Sequence, residues 1–159
     1  MTREEIIAKW DSVPPREGDA WIAESVMGWT GRTALYYWAD RKQKRYPMIA
    51  FKETGTNGIG IGCFDTFANE TGEKIQYGRP HRVYIPKYYS TNISAAWEVV
   101  EKICENRAWY INIRLGKVMG GCEAYIAEHE GGEVIEMAFR DTAPEAICLC
   151  ALLAKGVQP

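Results

Sequence analysis

The stretch DTAPEAICLCALLA, residues 141–154, has the pattern of a capped helix that is apolar on more than one side. Thr142 with Glu145 matches the Thr-x-x-Glu capping box, with Asp141 or Thr142 as the N-cap. Pro144 suits a first turn because no intrahelical hydrogen bond is lost there. The expected sheet-facing residues are Ala143, Ala146, Ile147, Cys150, Leu153 and Ala154. Such a helix either lies deep between other elements or packs its outer side on another subunit. We favour partial burial together with some oligomer contact.

Three predicted strands precede this helix. AWYINIRLG (108–116) alternates, with Trp109, Ile111, Ile113 and Leu115 on one side. CEAYIAEHE and EVIEMAFRD follow, separated by turns that end in Gly-Gly, and the last strand places Ile135, Met137 and Phe139 on one side. Short glycine turns between alternating segments predict an antiparallel meander.

Three further helices are predicted. The capping box of Thr2 and Glu5 starts a helix that runs to about Trp10, and Pro14 and Pro15 break it. A second helix is expected from about Asp19 to Gly28. A third begins after residues 90–92, which suit an N-cap. The expected apolar face of the third helix holds Ile93, Ala96, Trp97, Val100, Ile103 and Cys104.

Residues 30–90 form the least regular region of the chain. TALYYWAD (33–40) and YPMIAFKE (46–53) are predicted strands, joined by the basic loop RKQKR (41–45). Residues 82–89 are extended, and Pro86 argues against a central strand there. The order of elements predicts an α+β fold, an α-β-α sandwich with a mainly antiparallel sheet flanked by helices. We interpret residues 1–159 as one domain with an irregular insert at about 30–90.

Composition excludes several functional classes. A net charge of -2 and a pI of about 5.8 disfavour a protein that coats nucleic acid. The five Cys form no C-x-x-C pair and only two His are present, so no metal site or cofactor is expected. The thiols are expected to be reduced and mostly buried. No signal sequence is apparent and no segment approaches the ~18 apolar residues of a membrane span, which favours a soluble intracellular protein.

Candidate ligand-binding residues come from aromatic side chains that are interleaved with cations. Aromatics make up 12% of the chain, and they flank both RKQKR and RPHRVYIPKYY (79–89). Rings stack on bases, while Arg and Lys pair with phosphates. A solvated hairpin tip is the alternative for RKQKR, and a surface charge is the alternative for Arg114. The candidates are Tyr36, Trp38, Arg41, Arg45, Tyr46, Arg82, Tyr84, Lys87, Tyr88 and Arg114.

Catalytic patterns are missing from the sequence. GTNGIGIG lacks the lysine of a phosphate-binding loop, and no nucleophile or paired-histidine motif is present. Glutamates are frequent along two of the meander strands, where exposed carboxylates are ordinary. These are Glu123, Glu128, Glu130, Glu133 and Glu136. No catalytic residue is assigned, and we do not expect an enzyme.

Three segments resemble the phage ABA-sandwich domain family of small phage and prophage proteins. They are WIAESVMGW (21–29), STNISAAWEVVEKI (90–103) and DTAPEAICLCALLA (141–154). They are similar to the family's turn of the Val-Met-Gly-Trp type, its Asp/Asn-Ile-x-Ala-Ala-Trp-Glu-Val-Val core and its Thr-Ala-Pro-x-Ala-Ile-Cys-x-Ala-Ala-Leu-Leu helix. The region 30–90 is longer than in the shorter members. The resemblance implies helices around a sheet and a phage accessory gene.

By analogy with unrelated phage sponges, the expected function is non-enzymatic binding of a nucleotide-type small molecule. The protein would sequester a cyclic oligonucleotide or cyclic ADP-ribose messenger in the host cytoplasm and so block bacterial anti-phage immunity. A homo-oligomer is expected, and neither a membrane nor a nucleic acid is an expected partner. One alternative is a protein–protein inhibitor or a DNA-metabolism accessory protein. Another is an enzyme that cleaves the nucleotide.

Overall fold

The computed structural model describes residues 1–39, 44–53, 59–61, 67–68, 83–105, 109–116 and 120–156. The helices are α1 (Arg3–Ser12), α2 (Pro15–Ser25), α3 (Ile93–Cys104) and α4 (Ala143–Gly156). The strands are β1 (Thr30–Ala39), β2 (Lys44–Glu53), β3 (Ile59–Ile61), β4 (Phe67–Ala68), β5 (Val83–Ile85), β6 (Tyr110–Gly116), β7 (Gly121–Ala127) and β8 (Val134–Arg140). Every described strand pair is antiparallel, and the fold is α+β as predicted. Two compact units form, one from residues 1–27 and 88–159 and the other from residues 28–87.

In the first unit, the predicted meander is a sheet of order β6-β7-β8. Helix α4 packs on β7 and β8 and also contacts α1, α2 and α3. Every residue from Ala146 to Ala154 is buried within the single chain. The prediction of a partly buried helix is therefore wrong, because α4 is enclosed by the sheet and by other helices. The buried α4 therefore gives no support for an oligomer, and the homo-oligomer stays a prediction.

The ends of the helices follow their capping residues. Thr2 and Glu5 form the predicted capping box of α1, and Asn92 accepts a hydrogen bond from the backbone N–H of Ala95 at the start of α3. Helix α2 begins at Pro15 and not near Asp19 as predicted. Pro15 occupies the first helical position, where its fixed φ favours the helix and its missing N–H costs nothing.

The apolar face predicted for α3 is partly wrong. Its buried residues are Ala95, Ala96, Val99 and Ile103. Ile93 and Trp97, both expected in the core, are exposed. The small side chains of Ala95 and Ala96 lie on the buried side, and α3 packs against α4. Small residues at such a contact allow two helix backbones to approach closely.

A buried carboxylate links α2 to the segment before α3. Asp19 is fully buried, and its Oδ1 accepts hydrogen bonds from the backbone N–H and the hydroxyl of Ser90, each at 2.8 Å. Its Oδ2 accepts from Arg16 Nη1 at 2.8 Å. Because every carboxylate oxygen has a donor, the charge is compensated without water.

The second unit comprises residues 28–87, and the interpretation of the whole chain as one domain with an insert at about 30–90 stays a prediction. Its strands have the order β3-β5-β2-β1-β4. Strand β5 lies between β3 and β2, so it is not the edge strand that Pro86 predicted. Pro86 comes directly after the strand and marks its end. Trp29 and Phe51 are buried and meet edge to face, with ring centroids 5.5 Å apart. Most of the glycine stretch 54–64 and of the loop 68–81 lies outside the described residues.

Candidate functional site

The three-stranded sheet has two unlike sides. Cys122, Ala124 and Ile126 of β7 are buried, and Ile113 and Ile111 of β6 lie opposite Ala124 and Ile126. This side carries α4, and we call it the covered face. Side chains of alternate residues project to the opposite side, which we call the open face. The open face consists of Tyr110, Asn112, Arg114, Glu123, Tyr125, Met137 and Phe139.

Strand β8 presents its large apolar side chains outward. Met137 and Phe139 share one side as predicted, but they are 47% and 39% exposed. Glu136 and Ala138 occupy the covered face instead. The interpretation of Glu136 as an exposed carboxylate is therefore wrong. It is buried, and Arg3 Nε of α1 donates to its Oε2 at 3.3 Å.

Arg114 and Tyr125 form the polar centre of the open face. The Arg114 guanidinium lies over the Tyr125 ring, 5.0 Å from the ring centroid. Its Nη2 also donates to the Tyr125 hydroxyl at 3.3 Å. A guanidinium held by a cation–π contact and one hydrogen bond retains donors for an anion. Arg114 was a candidate from the sequence, whereas Tyr125 was missed. Predicting Tyr125 requires the register between β6 and β7. In that register Arg114 lies opposite Glu123, which is two residues before Tyr125.

A shallow cavity of about 240 Å³ covers this part of the sheet. Tyr110 and Tyr125 supply rings, Arg114 and Asn112 supply donors, and Glu123 supplies a carboxylate. The arrangement can hold a flat ring together with an anionic group near Arg114. A base with an exocyclic amine would find an acceptor in Glu123.

The hairpin between β7 and β8 borders the same cavity. His129 Nδ1 lies 3.1 Å from the carbonyl oxygen of Glu130. Gly131 has a φ of +72°, which favours glycine at this turn. A Cβ at Gly132 would lie 2.9 Å from the His129 ring, so a glycine there leaves room for the imidazole. The turn predicted at Gly131–Gly132 thus positions a histidine at the rim.

The remaining candidates from the sequence lie elsewhere in the chain. Strands β1 and β2 carry four of them, and Trp38 lies opposite Arg45 in the backbone register. Tyr36 and Tyr46 are on the same two strands, while Arg41 and Arg82 lie outside the described residues. The structure does not test whether these residues bind a ligand, and they stay predictions.

The last three candidates, Tyr84, Lys87 and Tyr88, lie in β5 or just after it. Tyr84 of β5 is half-buried and lies opposite Phe51 of β2. Lys87 is half-buried. The exposed ring of Tyr88 is covered on one side by the guanidinium of Arg16, 4.3 Å from its centroid. Tyr88 therefore already has an intramolecular stacking partner, and its role in binding a ligand stays a prediction.

The described cysteines are free thiols, and the two on α4 are fully enclosed. Burial raises the pKa of the Cys150 thiol to about 12 and holds the pKa of Cys148 well above its usual range. Neither is a thiolate near neutral pH. Among the residues that the structure describes, no group of three or more His, Cys, Asp or Glu is placed to hold a metal ion. Within those ranges no helix has the length and apolar character needed to cross a bilayer.

Comparisons with known proteins give one family and one solved structure. Residues 20–152 match the family model described as the phage ABA sandwich domain. The chain is also similar to a solved structure described as a phage protein from Bacillus cereus ATCC 14579, at 23% identity and a TM-score of 0.48. That similarity covers 91% of this chain and 94% of the other. A comparison with curated proteins finds no match.

Proposed function

Because the chain belongs to the phage ABA sandwich domain family, we propose that it is a phage-encoded binding protein that sequesters a nucleotide messenger of bacterial immunity. The messenger would be a cyclic oligonucleotide or a cyclic ADP-ribose. Binding would take place in the host cytoplasm and leave the ligand chemically intact. The phage family sets the biological context, while the choice of ligand rests on the open face.

The observation that carries this proposal is the cation–π pair of Arg114 and Tyr125 in a cavity that Tyr110 also lines. Stacking of a base on an aromatic ring contributes about 1–3 kcal/mol. A charge-assisted hydrogen bond from Arg to a phosphate oxygen is shorter and stronger than a neutral one. Glu123 disfavours a bare anion and favours a ligand that also carries hydrogen-bond donors, as a nucleobase does.

Binding is tested with a panel of cyclic dinucleotides, cyclic trinucleotides and cyclic ADP-ribose isomers. A ligand that binds the folded protein raises its melting temperature, and the rise grows with the ratio of ligand concentration to Kd. Arg114→Gln and Tyr125→Leu should each lower the affinity for the active ligand by roughly tenfold, which corresponds to about 1.4 kcal/mol. Lys155→Gln is the matched control, because it removes one exposed positive charge far from the open face in sequence. Equal affinity for all four proteins would contradict the site.

A second set of variants separates the open face from the predicted insert. Neutral replacement of Arg41, Lys42, Lys44 and Arg45 removes the basic loop and leaves β6 and β7 unchanged. If only the variants of the basic loop lose binding, the ligand is a nucleotide but its site is not on the open face. If no panel member shifts the melting temperature, the nucleotide proposal itself fails.

Sequestration and cleavage differ in what the protein releases. After saturation and heat denaturation, a sequestering protein returns the intact ligand in amounts equal to those bound. An enzyme returns fragments and turns over an excess of ligand. Mass spectrometry of the supernatant distinguishes the two results.

A protein–protein inhibitor or DNA-metabolism accessory is the second candidate, and exposed apolar side chains favour it. Met137 and Phe139 on the open face are large and exposed, and so are Ile93 and Trp97 of α3. Clusters of such residues mark many protein-binding surfaces. This alternative predicts that a host protein co-purifies with the wild type and that Met137→Asp or Trp97→Asp releases it.

A further inference from the structure

The two edge strands of the three-stranded sheet differ in how their outer edges are protected. The order β6-β7-β8 leaves one side of β6 and one side of β8 without a neighbouring strand. An edge strand presents a row of backbone N–H and C=O groups that can pair with another chain, and proteins usually block such rows. Within the described part of this chain, side chains block the edge of β8 and not that of β6.

Two arginines block the edge of β8. Arg3 Nη2 of α1 donates to the carbonyl oxygen of Met137 at 3.0 Å, and Arg140 Nη1 donates to the carbonyl oxygen of Phe139 at 2.8 Å. Both hydrogen bonds are exposed to solvent, as expected at a sheet edge. The two carbonyl groups are two residues apart and point to the same side of the strand. A further strand would have to displace both guanidinium groups, so β8 is a poor edge for pairing.

Strand β6 has no comparable protection among the described residues. Its backbone pairs with β7 on one side, and no other described strand pairs with it. The strand contains neither proline nor lysine, and its register with β7 has no bulge. Helix α4 packs on β7 and β8, and Ile111 and Ile113 of β6 are only half-buried. Backbone groups and apolar side chains are therefore both incompletely covered at this edge.

The sequence of β6 fits an antiparallel partner identical to itself. In a pairing centred on Ile113, this residue lies opposite Ile113 of the second copy, and Asn112 lies opposite Arg114 of the second copy. Because side chains alternate along both strands, apolar side chains meet on the covered side and polar ones on the open side. The side-chain oxygen of Asn112 can accept a hydrogen bond from the facing guanidinium.

A glycine at the end of β6 favours this register. Gly116 lies opposite Gly121 of β7, and an aromatic ring already covers Gly121, where a Cβ would lie 2.6 Å from Phe139 Cζ. In the pairing centred on Ile113, Tyr110 of the second copy lies opposite Gly116. Tyr110 is exposed, and its ring would cover Gly116 as Phe139 covers Gly121. An aromatic side chain across from a glycine stabilises a strand pair.

We propose that β6 pairs with β6 of a second copy and forms a continuous antiparallel sheet across a two-fold axis at Ile113. A second copy supplies the apolar side chain, the amide and the ring at the required positions, and each contact away from the axis occurs twice. A pair of seven-residue strands buries less area than the roughly 1,200–2,000 Å² of a stable interface, so the dimer should dissociate at micromolar concentrations. The pairing joins the two open faces into one surface and does not depend on the proposed nucleotide function.

Self-association is measured by sedimentation velocity of the full chain without nucleotide, from about 1 to 200 µM. We expect the wild type to change from monomer to dimer over this range. Tyr110→Lys removes the ring that would cover Gly116 and adds a charge at the edge, so it should weaken dimerisation by roughly tenfold or more. The matched control is Val134→Lys, which replaces an exposed apolar side chain at the start of β8 and should change dimerisation by less than about twofold.

The register is tested by cysteine cross-linking. In the proposed pairing, residue 113 faces its own copy, and directly opposite residues of antiparallel strands have Cα atoms about 4.5–5.5 Å apart, within the range of a disulfide. Ile113→Cys should therefore form an intermolecular disulfide under mild oxidation. The control is Ile111→Cys, on the same side of the strand, which lies four residues along the pair from its own copy and should not cross-link. Peptide mass spectrometry distinguishes these disulfides from any that involve the native thiols.

Three results would overturn the proposal. They are a wild type that stays monomeric at the highest concentration, equal weakening by the two lysine variants, and equal disulfide formation, or none, at positions 111 and 113. A monomeric wild type would leave the edge of β6 to a strand of another protein. None of these measurements includes a nucleotide, so this proposal and the nucleotide proposal fail independently.

Discussion

Along β7 and β8, most side chains on the covered face are smaller than those on the open face, with Ile126 and Glu136 as the exceptions. The covered face carries Cys122, Ala124 and Ala138 beneath α4, and each is buried. The open face carries Tyr125, with Met137 and Phe139 beside it. Small residues on the covered face let α4 lie close to the sheet, while the rings and the thioether on the open face gain little from folding. Large exposed side chains that do not contribute to the core are candidates for binding.

The largest expected effect is on the helical layer behind the covered face. Asp19→Ala leaves Arg16 and the donors of Ser90 without their buried acceptor. We expect the free energy of unfolding to fall by about 2–4 kcal/mol, because two buried donors of Ser90 lose their acceptor. Urea denaturation measures it. Asp141→Ala, at an exposed carboxylate, is the control and should cost less than about 0.5 kcal/mol. A small loss for Asp19→Ala would mean that water replaces the lost carboxylate.

A pair of neighbouring substitutions on β8 compares the two faces directly. Ala138→Met inserts a long side chain under α4, and overpacking of this kind costs about 1–3 kcal/mol. Met137→Ala removes a long side chain from the open face and should lower the free energy of unfolding by less than about 0.5 kcal/mol. Denaturation of both variants under identical conditions gives the difference. Equal losses would show that the open face is covered in solution, for instance by a second copy of the chain.

The buried thiols of α4 should make the free energy of unfolding depend on pH. Burial raises the pKa of Cys150 from 9.0 to about 12, so the folded state holds this proton more tightly than the unfolded state. The stabilisation is complete below pH 9 and is lost as the pH rises from 9 towards 12. We expect the free energy of unfolding to fall on the order of 1 kcal/mol between about pH 8 and 10. Urea midpoints across this range measure the slope.

The control for that slope is Cys148→Ala/Cys150→Ala. This variant is less stable at every pH because it leaves cavities in the core. Its stability should nevertheless decline less steeply between about pH 8 and 10, since it has lost both buried thiols. An unchanged slope would assign the pH dependence to other groups, of which Tyr89 is the first candidate because burial raises its pKa too.

The smallest expected effect on stability is at the open face. Arg114→Lys keeps the positive charge and removes the planar guanidinium that lies over Tyr125. The free energy of unfolding should change by less than about 0.5 kcal/mol. Affinity for the proposed nucleotide should fall by roughly threefold to tenfold, measured by calorimetry. Unchanged affinity would show that charge alone, without the stacked geometry, accounts for the contribution of Arg114.

Local sequence patterns were sufficient for most of the fold. The cap at Thr142 and the glycine turn at Gly131–Gly132 were predicted where the structure has them. The start of α2 differs from the predicted one because proline, which breaks a helix interior, fits the first helical position at Pro15. For the candidate site, Arg114 was predicted and Tyr125 was not, because their contact depends on the register between two strands.

The sequence by itself determined most of the helices and strands, the capping residues of α1, α3 and α4, and which residues alternate along β6 and β8. Only the tertiary structure decided which side of β8 is covered and that α4 is enclosed within one chain. It also decided that Arg3 meets Glu136, 133 positions away. Periodicity is a property of neighbouring residues, whereas burial depends on elements that are distant in sequence and approach only when the chain folds.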